Sequence, residues 1–327
     1  MAKERSQNWQ VQDWQRWMAI AVWVLVWVYS IGLWAGLVPA ALAAVTNSAS
    51  NADAPTADVA PPNFVRTGVS AFQAGDYDLA LREFSQAIAQ NPESSSAYSN
   101  RCLTYLQLDQ PDAAVSDCGK ALRRNPKNAE AFLNQGLAFY RLGNPSGAIA
   151  SYDQLLQLKP DDFRARYNRG LAHFALSQYR RAIVDFGEAL RQSSLLDRLG
   201  MAEIYDDRGL ANLMLENYRG AIADFSQAIE FDASNLRAYY NRACAAHQHG
   251  DYANALRDFS QVLALAPEYA EVYFNRGLVH QEMGDRDEAI ADLQLAAYYF
   301  EQQGATDHYQ RTLTVIQQLR PSGLALG

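Results

Sequence analysis

Tryptophan vanishes from this chain after residue 34, although six occur before it: Trp9, Trp14, Trp17, Trp23, Trp27 and Trp34. Cysteine is scarce. Three in 327 residues are too few for a disulfide framework. Basic charge is also short, with 28 Lys and Arg against 36 Asp and Glu and a formal net charge of -8. Only Lys120, Lys127 and Lys159 carry lysine beyond residue 45. That balance excludes the basic surface of a general nucleic-acid binder. No phosphate-binding glycine loop, G-x-S-x-G elbow, H-E-x-x-H helix or Cys-His nucleophile arrangement occurs. No enzymatic activity, metal or cofactor is therefore expected. With 49% hydrophobic and 20% charged residues, the chain is neither disordered, collagen-like nor a multi-span membrane protein. Length alone suggests two domains.

What is present divides into two unlike pieces. Residues 1–45 carry Lys3, Arg5 and Arg16 against Glu4 and Asp13, and Trp17 to Val38 carry no charge. A helix over that run would be about 33 Å long, enough for a ~30 Å hydrocarbon core. The basic residues before it predict a cytoplasmic amino end and an exported body. Two readings stay open. Pro39 followed by Ala41-Leu42-Ala43 looks like the end of a cleaved signal peptide, with release after Ala43. The apolar run is longer than an ordinary signal core, and Trp23, Trp27 and Trp34 share a helix face, as in an uncleaved anchor. Residues 46–62 are small, polar and proline-bearing, the composition of a flexible tether.

The body repeats itself. Aligning Gly75-Asp76-Tyr77, Gly143-Asn144-Pro145 and Gly250-Asp251-Tyr252 sets seven units starting at 61, 95, 129, 163, 202, 236 and 270, spaced by 34 residues except for one interval of 39. Position 8 is small (Gly68, Cys102, Gly136, Gly170, Gly209, Ala243, Gly277). Position 20 is always alanine, from Ala80 to Ala289. Position 24 is mostly large (Phe84, Cys118, Tyr152, Phe186, Phe225, Phe259, Leu293), and Pro92, Pro126, Pro160 and Pro267 stand at position 32. Positions 4, 8 and 11 make one stripe of a first helix, and 20, 24 and 27 one stripe of a second. No pair can bury both stripes alone, so pairs must stack.

These residues closely resemble the tetratricopeptide repeat family over 61–302. The resemblance implies an all-α fold: a right-handed superhelical solenoid of antiparallel helix pairs, preceded here by one N-terminal apolar membrane or signal helix. Ser194, Ala233 and Glu301 depart from the usual proline, and five extra residues near 195–201 should lengthen a helix or loop between units four and five. Residues 303–327 add an amphipathic capping helix and tail.

Two polar columns carry information. Position 7 (Thr67, Arg101, Gln135, Arg169, Arg208, Arg242, Arg276) matches position 23 (Glu83, Asp117, Ser151, Asp185, Asp224, Asp258, Asp292): every Arg has an Asp in its own unit. A bidentate clamp between the two helices is expected. Position 6 reads Arg66, Asn100, Asn134, Asn168, Asp207, Asn241 and Asn275, about 200° from the packing stripe. In the family the first helices line a concave face, and this column resembles an asparagine ladder that grips a peptide backbone. An amide has donors and an acceptor to match one. Tyr167, Tyr240 and Phe274, with leucines at position 9 and Phe72, Tyr140 and Phe174 at position 12, share that face as candidate apolar anchors. Its charges are mixed, with Arg141, Arg164 and Arg237 against Glu130, Glu203, Asp206, Asp207, Glu271 and Glu282. A lysine-based carboxylate clamp is not expected.

His173 and His280, at position 11, are expected in or near the core. His247 and His249 point apart on a helix, a poor metal pair. Cys102 and Cys118 occupy packing positions, which favours small-residue packing over a bond, leaving Cys244 as the odd thiol. The expectation is an exported, membrane-tethered scaffold that binds a partner protein or extended peptide and does no chemistry. A use in assembling an envelope complex rests on analogy alone. A self-associating array and a binder of envelope polysaccharide are the rival readings.

Overall fold

The computed structural model describes residues 63–192 and 196–320. The anchor or signal at 1–45, its cleavage site, the tether at 46–62 and the tail after residue 320 lie outside the described residues. Among the described residues every regular element is an α-helix, and no helix is long and apolar enough to cross a membrane. The helices run α1 (Phe64–Gln73), α2 (Tyr77–Gln90), α3 (Ser95–Gln107), α4 (Pro111–Arg124), α5 (Ala129–Arg141), α6 (Pro145–Leu158), α7 (Phe163–Ala175) and α8 (Tyr179–Leu190). They continue as α9 (Arg198–Met214), α10 (Tyr218–Phe231), α11 (Leu236–Gln248), α12 (Tyr252–Leu265), α13 (Ala270–Met283), α14 (Arg286–Gln302) and α15 (Thr306–Leu319). Seven antiparallel pairs thus precede one last helix.

Local chemistry sets the boundaries. Side chains of Asp76, Asn128, Asn144, Asn217 and Asp251 accept from backbone N–H groups of the helices they precede, satisfying donors that a helix start leaves open. Pro111 and Pro145 stand in the first turn, where no N–H is needed. The turn inside each pair requires a left-handed residue at position 15. Gly75, Gly143, Gly250 and Gly284 supply it without strain, whereas Asp109, Ser177 and Glu216 adopt φ of 53°, 56° and 57° at a steric cost. The extra residues before unit five lengthen its first helix: α9 has 17 residues, where α3, α5, α7 and α11 have 13.

Packing follows the periodic stripes. Each helix packs on the next in sequence. The other substantial helix contacts all join one first helix to another first helix, so the first helices line the inner side of the curve. All seven position-20 alanines are fully buried. Position 8 is small because the large residue of the partner helix lies against it: a Cβ on Gly136 would sit 2.4 Å from the Tyr152 ring. Unit two departs from this arrangement. Cys102 and Cys118 do not pack as free thiols but form a disulfide, with their Cα atoms 5.5 Å apart. No ring separates the two side chains, so the sulfurs meet across the gap. Cys244 is free and buried.

The expected clamp forms in every pair. Arg101, Arg169, Arg242 and Arg276 each donate from Nε and Nη2 to the two oxygens of Asp117, Asp185, Asp258 and Asp292, at 2.5–3.1 Å. Arg208 and Asp224 do likewise. In the neutral variant Ser151 donates to Gln135 at 3.1 Å, and in the remaining pair Thr67 donates to Glu83 at 2.5 Å. The clamp also crosses the boundary between pairs, which the paired columns did not reveal. Arg101, Arg242 and Arg276 reach Ser85, Ser226 and Ser260, and Arg169 reaches Asp153, at 2.6–3.0 Å. All four partners occupy position 25 of the preceding unit. Arg208 meets Gly187 there and lacks this link. Tyr98, Tyr205, Tyr239 and Tyr273, one helical turn before their arginines, lie 5.2–5.7 Å from the guanidinium, a further attraction.

Candidate functional site

The position-6 column does lie on the first helices, which face inward, but it is not uniform. Asn275 donates from Nδ2 to the Tyr240 hydroxyl at 2.8 Å, and Asn241 donates to Asp206 at 3.5 Å. Asp207 accepts from the Tyr167 hydroxyl at 2.8 Å and from Arg237 at 3.0 Å. These three are tied to neighbouring pairs. Asn100, Asn134 and Asn168 make no side-chain hydrogen bond within the described residues, and none of their polar atoms is sealed from solvent.

One position explains the split. Each tie runs between position 5 of one unit and position 6 of the next: Tyr167 to Asp207, Asp206 to Asn241, Tyr240 to Asn275. The residues preceding the free amides are Val65, Ser99 and Leu133. Two have no polar group and the serine is too short. The signal was present in the sequence as a column, but position 5 reads as an apolar anchor until its hydroxyls are seen pointing at the next pair.

Position 5 therefore differs from its expected use. Tyr167 and Tyr240 are only 8% and 7% exposed, so their rings are core rather than open shelf. Burial, then the nearby Asp207 carboxylate, pushes the Tyr167 hydroxyl well above its ordinary pKa, which keeps it a donor. Phe274 is half-buried, with the Arg311 guanidinium 5.7 Å from its ring. Among the leucines, Leu103 and Leu278 are buried, while Leu137, Leu171 and Leu210 keep partial access. Tyr140 and Phe174 are half-buried and Phe72 is buried. The partly accessible apolar surface beside the free amides is thus Leu137, Tyr140, Leu171 and Phe174.

Charge separates the same two halves. Arg164 is held by Glu130 and Asp162, each at 2.9 Å, and Arg141 donates to the Leu106 carbonyl. Farther along, Arg237 pairs with both Asp206 and Asp207, and Glu203 stands near them. Burial first, then Asp207, pushes the Glu203 carboxyl up to about 7. Burial likewise raises Asp206. Glu282 is held below its usual range by a hydrogen bond from His247. His173 is buried and bonded to Gln178 at 2.8 Å, and His280 is half-buried beside Asp285. Among the described residues no group of three His, Cys, Asp or Glu is placed to hold a metal ion.

Solved structures share this architecture. A tetratricopeptide repeat protein from Parabacteroides merdae ATCC 43184 superposes with a TM-score of 0.54 at 20% identity, covering 76% of this chain and 97% of that one. YrrB, described as a TPR protein with an unusual peptide-binding site, gives 0.51 at 21% identity, covering 59% and 97%. The MamA protein gives 0.50 at 22% identity, covering 55% and 96%. No curated protein matches by sequence. Tetratricopeptide repeat profiles match residues 65–129, 101–163, 133–196, 207–259 and 270–303, and a TPR repeat profile matches 245–284. With those matches spanning more than half its length and their described residues folded into stacked helix pairs, the chain belongs to the tetratricopeptide repeat family.

Proposed function

We propose that the chain is an interaction scaffold that holds an extended, largely uncharged peptide segment of a partner protein against the inner face of units two to four. Asn100, Asn134 and Asn168 pair with the peptide backbone, and Leu137, Tyr140, Leu171 and Phe174 take its apolar side chains. The observation that carries this reading is the run of three consecutive amides left without a partner, in a fold that ties the same column down elsewhere. Peptide binding by YrrB, a relative in fold, is in keeping with it. Three amides at about 0.5–1.5 kcal/mol each give roughly 1.5–4.5 kcal/mol. Micromolar binding needs about 8.2 kcal/mol, so the apolar shelf supplies the larger part. The N-terminal apolar run tethers or exports the scaffold, and the scaffold serves a complex on the far side of the membrane without doing chemistry.

The test is affinity capture with the full chain from solubilised native membranes. The variant Asn100→Ala/Asn134→Ala/Asn168→Ala is compared with Asn241→Ala/Asn275→Ala, and circular dichroism confirms folding of each. A partner held by the wild type and by the second variant but lost by the first supports the reading. A partner held by all three moves function off the inner face.

A further inference from the structure

Cys102 and Cys118 stand where the other six units set a small residue against a large one. In four of those six contacts a Cβ on the glycine would sit 2.4–2.7 Å from the facing ring, and in a fifth a Cβ on Gly277 would sit 3.0 Å from Leu293. At these two positions unit two has neither glycine nor ring. Its two cysteines are fully buried in a cluster with Tyr98, Leu106, Ala114, Ala121, Ala131 and Ala138, which joins unit two to unit three. Their neighbours in sequence, Arg101 and Asp117, form the clamp between the same two helices. The Cα separation of 5.5 Å is in the range a disulfide spans without backbone movement.

We infer that oxidation of Cys102 and Cys118 is a maturation step of this protein: the bond replaces the missing large side chain as the closure of unit two, and the body folds to completion in an oxidising compartment. Thiol–disulfide exchange with a disulfide-bearing oxidant supplies the step. One cysteine thiolate attacks a sulfur of the oxidant, whose other sulfur leaves as a thiolate. The second cysteine thiolate then displaces the oxidant from the mixed disulfide. The chain loses two protons and two electrons, and the oxidant ends as a dithiol. Two features fit a permanent bond. Burial shields it from reductants. Once the chain is folded the third cysteine does not exchange with the bond, because Cys244 is buried in another unit and that burial pushes its thiol up to about 12. A permanent buried disulfide agrees with export of the body, although the inference does not rest on the N-terminal run or on the peptide reading.

The first measurement counts thiols. The full chain is captured from acid-quenched native cells and alkylated in denaturant, with and without prior reduction. One alkylated cysteine before reduction and three after is the expected result; three before reduction overturns the inference. The second measurement is thermal melting with and without a phosphine reductant, using alkylation to confirm that the bond has opened. The wild type should melt about 5–10 °C lower when reduced. The variant Cys102→Gly/Cys118→Phe restores the small-against-large pair and should melt alike in both conditions. An unchanged wild-type melt after confirmed reduction overturns the closure role. So does a variant that shifts as much as the wild type.

Discussion

Units two to four and units five to seven are built on the same column of amides, yet they use it differently. In the second group, position 5 supplies a tyrosine hydroxyl or a carboxylate, and position 6 of the following unit is drawn into the contact between pairs. Before the first group, position 5 of the preceding unit is Val65, Ser99 or Leu133, and the amides keep no partner, with Asn100 and Asn168 half-buried and Asn134 buried at 7% exposure. The difference lives at the packing level: capped and uncapped helices, and glycine and non-glycine turns, occur in both groups. An inter-pair hydrogen bond stabilises stacking, and an unpaired amide is available to a ligand. One side-chain column can do either, and position 5 of the preceding unit decides which.

The strongest way to break this comparison is to remove Arg237. Asp206 is 1% exposed and Arg237 is its only cationic partner among the described residues, while Arg237 itself also holds Asp207. Arg237→Met leaves the Asp206 carboxylate buried beside a second carboxylate and should destabilise units five and six by about 1–3 kcal/mol, less than a fully buried pair because the Arg237 side chain is 42% exposed. Hydrogen exchange should show amides of α9 to α11 opening faster while α3 to α7 keep their protection. Equal acceleration in both groups would mean that the halves are not distinct.

A smaller contrast compares single amides. Asn275→Ala removes the hydrogen bond to the buried Tyr240 hydroxyl and should cost about 1–2 kcal/mol. Asn168→Ala, at a half-buried position, removes no hydrogen bond and should stay within about 0.5 kcal/mol of the wild type. Urea unfolding of both variants side by side reads the difference. If Asn168→Ala costs as much as Asn275→Ala, the free amide is structural after all.

Much of this was legible in the residues. The 34-residue period, the small and large positions and the matching Arg and Asp columns specify an all-α array and its clamps, because each follows from helix periodicity or from charge pairing at one fixed offset. What crosses from one pair to the next was not legible. The links from position 25 to the next arginine and from position 5 to the next amide depend on how far successive pairs rotate, which periodicity does not state. The disulfide escaped for a related reason. Cys102 and Cys118 fit the small-residue stripe as well as they fit a bond, and only the gap left by the missing ring decides between them.

The mildest perturbation tests the charge side of the comparison. Glu203 lies near Asp197, Asp206 and Asp207, with Arg237 as the opposing cation, and its carboxyl is pushed up to about 7 by burial and then by Asp207. An unfolded glutamate titrates near 4.3, so the folded protein binds the extra proton more tightly. The stabilisation from that proton is complete below about pH 4 and is lost as pH rises through 7. Lowering the pH from 8 to 6 should therefore raise the melting temperature of the wild type more than that of Glu203→Gln, and the variant should melt higher than the wild type at pH 8. Subtracting the two curves cancels the shared histidines. The difference should also shrink when Asp207 is replaced by Asn, because the largest carboxylate contribution to the shift is then gone. A wild type and variant that respond identically to pH would show that the carboxylates of unit five are already relaxed by solvent. In that case the two halves of the inner face would differ in hydrogen bonding alone, not in charge.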